Sequence, residues 1–234
     1  GPESGQPVIL LHGGGQTRHS WSKAALELAA AGYRGISLDL RGHGESQWCP
    51  KGRYALDDHI ADLGTVMESL HSASVLVGAS LGGVVSLVGQ GEQRLPRARA
   101  LVLVDVVPRM EADGIQEIIN FMSANPDGFA SVDAAAEAVA KYLPHRPRRS
   151  STHGLLKNLR QRDDGRYYWH WDPLFLTDRT GMGEVREERF RQLENSAKRI
   201  SVPTLLVQGA LSDILTNKEK EEFNTGCLPC RWNR

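Results

Sequence analysis

Gly78-Ala79-Ser80-Leu81-Gly82 is the stretch whose residue types and spacing bear most directly on chemistry. It is a G-x-S-x-G pattern. The apolar run Val75-Leu76-Val77 leads into it, and a helix-compatible run to about Gln90 leads out. In that strand–turn–helix setting the pattern makes a tight, strained turn that exposes a serine hydroxyl at the carboxyl edge of a sheet. A side chain in place of either glycine would collide with the neighbouring strand or helix. The following helix turns its amino end, with unpaired N–H groups, toward the same point. Ser80 is therefore a candidate nucleophile.

Other candidate residues also stand where apolar runs end. Pro7-Val8-Ile9-Leu10-Leu11 reads as a buried strand of the parallel type. It runs into His12-Gly13-Gly14-Gly15, where consecutive glycines let backbone come close to a ligand. A second strand, residues 35–39, runs into the glycine-punctuated loop Leu40-Arg41-Gly42-His43-Gly44-Glu45-Ser46. Asp105 ends an apolar run over 100–105, and Asp213 follows another over 202–209. Asp105 also suits a strand-end turn, and Asp213 the cap of a following helix. The most aromatic stretch, Tyr167-Tyr168-Trp169-His170-Trp171-Asp172-Pro173, suits core packing or the lining of a pocket. Cys49 stands alone, and Cys227-Leu228-Pro229-Cys230 has no second pair to complete a zinc site. No metal site, cofactor or disulfide framework is expected.

The elements that must position these residues alternate between strand and helix as far as residue 107. A helix is expected over residues 20–31, capped by Ser20 and ended by Gly32. Over 56–71 the apolar residues Leu56, Ile60, Leu63, Met67 and Leu70 recur at spacings of three and four, which predicts an amphipathic helix. The alternation argues for an α/β fold with a mostly parallel sheet and helices on both faces. From 108 to 200 no buried strand is expected. Helices are predicted near 115–123, 132–143, 152–160 and 184–198, an inserted helical cap over the sheet's carboxyl edge. A strand returns at 202–209, followed by a short charged helix at 217–223. The expectation is one domain over 1–234, with core 1–107 and 201–234 and cap 108–200. With 28 basic and 28 acidic residues the net charge is zero, which offers no bulk attraction for nucleic acid. No apolar run reaches the length of a membrane span and no signal peptide opens the chain, so no membrane partner and a cytoplasmic setting are expected.

The strand-end His12-Gly13-Gly14, the Arg41-Gly42-His43-Gly44 loop, the Gly78–Gly82 turn and the Asp213 loop, in that order, resemble the α/β-hydrolase superfamily. The chain is similar to its cap-bearing serine hydrolases, near the esterases and cofactor-free haloperoxidases. The resemblance implies Ser80 as nucleophile, Asp213 as the acid that orients the base, with Asp105 the competing acid, and an oxyanion hole from the N–H groups of Leu81 and Gly14. His12, Gly13, Trp21, Trp169 and Trp171 are expected to shape the pocket for a small-molecule acyl substrate, a carboxylic ester. The family places a histidine after the acid, yet none of the eight histidines follows Asp213. His12, His43 and His170 are the substitutes to consider, although each also suits a structural role. The expectation is a chain truncated at both ends, with a sheet of about five strands. Residues 35–39 and 204–208 would then form free edges that favour self-association. A non-catalytic ligand-binding protein on a degenerate hydrolase fold, and a cofactor-free haloperoxidase or perhydrolase, are the alternatives.

Overall fold

The computed structural model describes residues 1–145, 151–179, 183–210 and 212. Its centre is a five-stranded sheet, all parallel, built from β1 (Pro7–Leu11), β2 (Arg34–Leu38), β3 (Val75–Ala79), β4 (Ala100–Val104) and a strand late in the chain, Thr204–Val207. The order across the sheet is β2-β1-β3-β4 and then Thr204–Val207. β2 and Thr204–Val207 are its edges among the described residues, the two strands expected there. β1 is buried along its whole length, which is why it reads as an unbroken apolar run. In β3 and β4 the buried side chains alternate, with Leu76, Leu101 and Leu103 fully enclosed. In register, Leu11 pairs with Gly78, and Ala79 with Val104. These pairings bring the ends of β1 and β4 beside Ser80.

Helices α1 (Ser22–Ala30), α2 (Leu56–Glu68) and α3 (Leu81–Gly91) flank the sheet. α2 buries Leu56, Ile60, Leu63 and Met67, the residues whose spacing predicts it. The helix expected from Ser20 starts differently. Residues Arg18–Trp21 form a 3-10 turn, and α1 begins at Ser22. The Arg18 backbone N–H donates to Asp39 at 2.6 Å and its guanidinium pairs with the same carboxylate, which holds the chain in the tighter turn.

The segment inserted between β4 and the adjacent strand Thr204–Val207 contains α4 (Ala112–Ser123), α5 (Val132–Tyr142), a hairpin of β5 (Leu159–Gln161) and β6 (Tyr167–Trp169), and α6 (Gly183–Lys198). The sheet's last strand, Thr204–Val207, is β7. The hairpin corrects the expectation of a helix over 152–160. His153–Asn158 is a 3-10 turn, after which the chain extends so that Leu159 pairs with Trp169 and Gln161 with Tyr167. α6 does not lie over the sheet's carboxyl edge. It packs on α3 so closely that a Cβ at Gly91 would strike the Ser196 backbone, and Gln192 donates to Glu92 at 2.8 Å. The predicted 217–223 helix and the two late cysteines fall outside the described residues. No helix among the described residues is long and apolar enough to cross a membrane.

Candidate active site

β3 ends at Ala79 and α3 begins at Leu81, so Ser80 alone makes the turn. Its backbone sits at φ 44° and ψ −113°, a left-handed conformation that L side chains rarely adopt. Packing explains the glycines around it. A Cβ on Gly82 would lie 2.5 Å from Leu11 Cβ and 2.6 Å from Leu11 O, and one on Gly78 would collide with the Gly82 carbonyl. The turn is also tied to both neighbouring strands. Ser80 N–H donates to Val104 O at 3.2 Å and Gly82 N–H to His12 O at 3.1 Å.

The loop after β1 stands against this turn; a Cβ on Gly13 would lie 3.3 Å from Ser80 Cβ. Its peptide groups are almost fully engaged. Gly13 N–H donates to Gln16 Oε1 at 3.2 Å, and Gly13 O accepts from Gln16 N–H at 3.2 Å. The ring of His12, fully buried, holds the same carbonyl through Nδ1 at 2.8 Å. His12 Nε2 accepts from Leu40 N–H at 3.0 Å, so the proton must lie on Nδ1 and the ring is neutral. Burial holds its pKa below the ordinary 6.5, against the opposing pull of the Gly13 carbonyl and Asp39. Gly15, at φ 73°, donates its N–H to His43 Nε2 at 3.1 Å. Among the described residues the N–H groups of Gly14 and Leu81 donate no hydrogen bond. Two free backbone donors thus flank the turn of the half-buried Ser80.

The family model for the alpha/beta hydrolase fold matches residues 6–232. The chain belongs to the α/β-hydrolase family. Esterase Rv0045c of Mycobacterium tuberculosis is 30% identical over 223 residues, which are 93% of this chain and 70% of that protein. Protein phosphatase methylesterase 1 of Bos taurus is 30% identical over 138 residues, 57% of this chain. The matched region is 36% of that relative's length. A solved structure of the mycobacterial esterase superposes with a TM-score of 0.75 at 27% identity, covering 98% of this chain and 76% of that one.

Within this α/β-hydrolase the other candidate residues take definite places. Asp105 stands at φ 51° one residue beyond β4, and its Oδ1 accepts the Gly209 N–H at 2.7 Å, tying β4 to the chain beyond β7. Asp213 falls outside the described residues. Trp169 and Trp171 stack on each other at 5.2 Å, both buried, and Trp169 also meets Phe121 and Phe129. They form the aromatic core of the inserted segment. Trp21 is half-buried at the end of the 3-10 turn before α1.

Neither His12 nor His43 can serve as the base for Ser80. Both nitrogens of His12 are engaged as described. His43 accepts at Nε2 and directs Nδ1 to Arg41 O at 3.1 Å. His170 lies elsewhere, with Nε2 3.6 Å from Glu45 Oε1, in the wall of a small cavity shared with Thr17, His19 and Asp39. A cavity of about 540 Å³ between β2, α2 and the 46–53 loop also lies apart from the serine, lined by Leu38, Trp48, Cys49 and Val66.

Several contacts at the site have no local sequence signal. Phe175 and Met122, far along the chain, come over the loop after β1. A Cβ on Gly14 would lie 3.5 Å from the Phe175 ring, and one on Gly15 3.0 Å from Met122 Cε. Gln16, by contrast, stands three residues after Gly13 in a turn, a spacing that could have suggested its contact.

Proposed function

We propose that this α/β-hydrolase, a carboxylic ester hydrolase by kinship, cleaves small carboxylic esters with Ser80 as nucleophile. Ser80 Oγ adds to the ester carbonyl and its proton passes to a base other than His12 or His43, a water molecule where no side chain takes it. The carbonyl oxygen becomes an oxyanion held by Leu81 N–H and Gly14 N–H. Collapse expels the alcohol and leaves an acyl-serine, which water then hydrolyses to the acid and free Ser80. Asp213 is the acid that this reading assigns to orienting the base. The observation that carries the reading is the Ser80 backbone. A serine held at φ 44° costs ~1–3 kcal/mol, a conformation that persists where it serves a site. Two free N–H groups beside it give the strain a purpose.

The test is hydrolysis of p-nitrophenyl acetate and butyrate by the chain and by Ser80→Ala. Turnover should fall to the uncatalysed rate in the variant. Equal rates in the two proteins would overturn the assignment.

A further inference from the structure

Gly14 joins two peptide planes, the first of which carries its free N–H, and each is held by a buried histidine. The first plane contains Gly13 O and Gly14 N–H; His12 Nδ1 and Gln16 N–H fix it through the carbonyl. The second contains Gly14 O and Gly15 N–H; His43 Nε2 fixes it through the N–H at 3.1 Å. Removing either clamp would let Gly14 swing its donor.

His43 also joins the inserted segment to this loop, beside the direct contacts of Phe175 and Met122. Its backbone forms an antiparallel bridge with Trp171, flanked by Gly44 N–H to His170 O and Asp172 N–H to Gly42 O, each 2.7 Å. The ring of Phe175 meets the His43 imidazole edge-on, with centroids 4.7 Å apart. His43 and Phe175 are both buried.

We propose that His43 is a positioning residue that carries the seating of the inserted segment, through Trp171 and Phe175, to the Gly14 N–H that holds the oxyanion. This rests on the ester-hydrolase reading of Ser80. An oxyanion donor acts only when it is aimed at the developing charge, and a misplacement of ~1 Å can cost ~100-fold. The inserted segment would thereby set the rate of the chemical step.

The test uses His43→Leu, which removes the acceptor, His43→Gln, which places a carbonyl near the former Nε2, and Phe175→Leu. The first readout is independent of turnover. A long-range ¹H–¹⁵N imidazole spectrum should show His43 protonated on Nδ1, and amide exchange at Gly15 should quicken in His43→Leu and in Phe175→Leu but recover in His43→Gln. The second is kinetic. In His43→Leu, kcat should fall ~10- to 100-fold with KM changed less than about twofold, and His43→Gln should restore much of it. Unchanged Gly15 exchange in His43→Leu overturns the inference. So does altered exchange with unaltered kcat, since a merely structural clamp would give that result. If Phe175→Leu leaves both readouts unchanged, the link to the insertion fails. If Ser80→Ala retains full turnover, the ester-hydrolase reading is what fails, and the exchange data still decide the clamp.

Discussion

At the scale of single residues, the site depends on what is missing around Ser80 as much as on the serine. Gly82 has Leu11 Cβ, O and C all within 2.7 Å of where its own Cβ would be. Two of those atoms are backbone of β1, which cannot yield as a flexible side chain can. Gly82→Ala should therefore destabilise the fold by roughly 1–3 kcal/mol, the usual cost of overpacking, and shift the urea midpoint without altering the slope. A stability equal to the parent's would show that β1 and α3 are not in this close contact. The pattern Gly78–Gly82 was legible in the sequence because its logic is local: five residues specify one turn. A structural role for His12 and His43 was legible from their strand-end loops, but the partner that fixes each ring's tautomer was not. Each depends on a backbone N–H some 28 residues away that fixes the tautomer, Leu40 for His12 and Gly15 for His43.

Elements follow the same division. The sheet's strands are short apolar runs bounded by glycine and proline, and α2 carries a clear helical period, so both could be read directly. The β5–β6 hairpin could not. Strands of three residues have no period, and Leu155 and Leu159, four apart, imitate the face of a helix. What holds the hairpin's exit is a contact across 118 residues. The Tyr54 hydroxyl donates to Asp172 and accepts from Cys49 N–H at 2.6 Å, and Asp172 also accepts from Leu174 N–H at 3.0 Å. Burial and the Asp172 carboxylate push the Tyr54 pKa up to about 12, so it remains a donor throughout the neutral range. Tyr54→Phe leaves a buried carboxylate short of one partner, at a cost of about 1–3 kcal/mol. The melting temperature should drop by ~2–4 °C per kcal/mol in a chain of this size. A Tm within 1 °C of the parent's, roughly the scatter of such a measurement, would mean that water replaces the hydroxyl without loss.

For the whole molecule, buried neutral histidines tie stability to pH. Burial lowers the pKa of His12 below 6.5, as does burial together with Arg160 for His170, although Asp39 and Glu45 pull the other way. The unfolded chain therefore binds protons on these groups at a higher pH than the folded chain does. Stability is fully present above the unfolded value of about 6.5 and is lost as pH falls through the folded values. The carboxylates with lowered pKa, Asp164 and Glu187, take effect only below their ordinary values of 3.8 and 4.5. Between about pH 6.5 and 5 the slope should thus belong to histidine. Urea unfolding across pH 5–8 should show stability rising with pH in that window and levelling above it. His170→Gln, which removes one of the two groups without touching the loop beside Ser80, should flatten the slope. A slope unchanged in that variant would place its source outside His170. A profile level from pH 8 to 5 would mean that both rings accept a proton in the folded chain. That result would contradict the hydrogen bond from Leu40 N–H to His12 Nε2, and with it the fixed Gly13–Gly14 peptide plane on which the Gly14 donor depends.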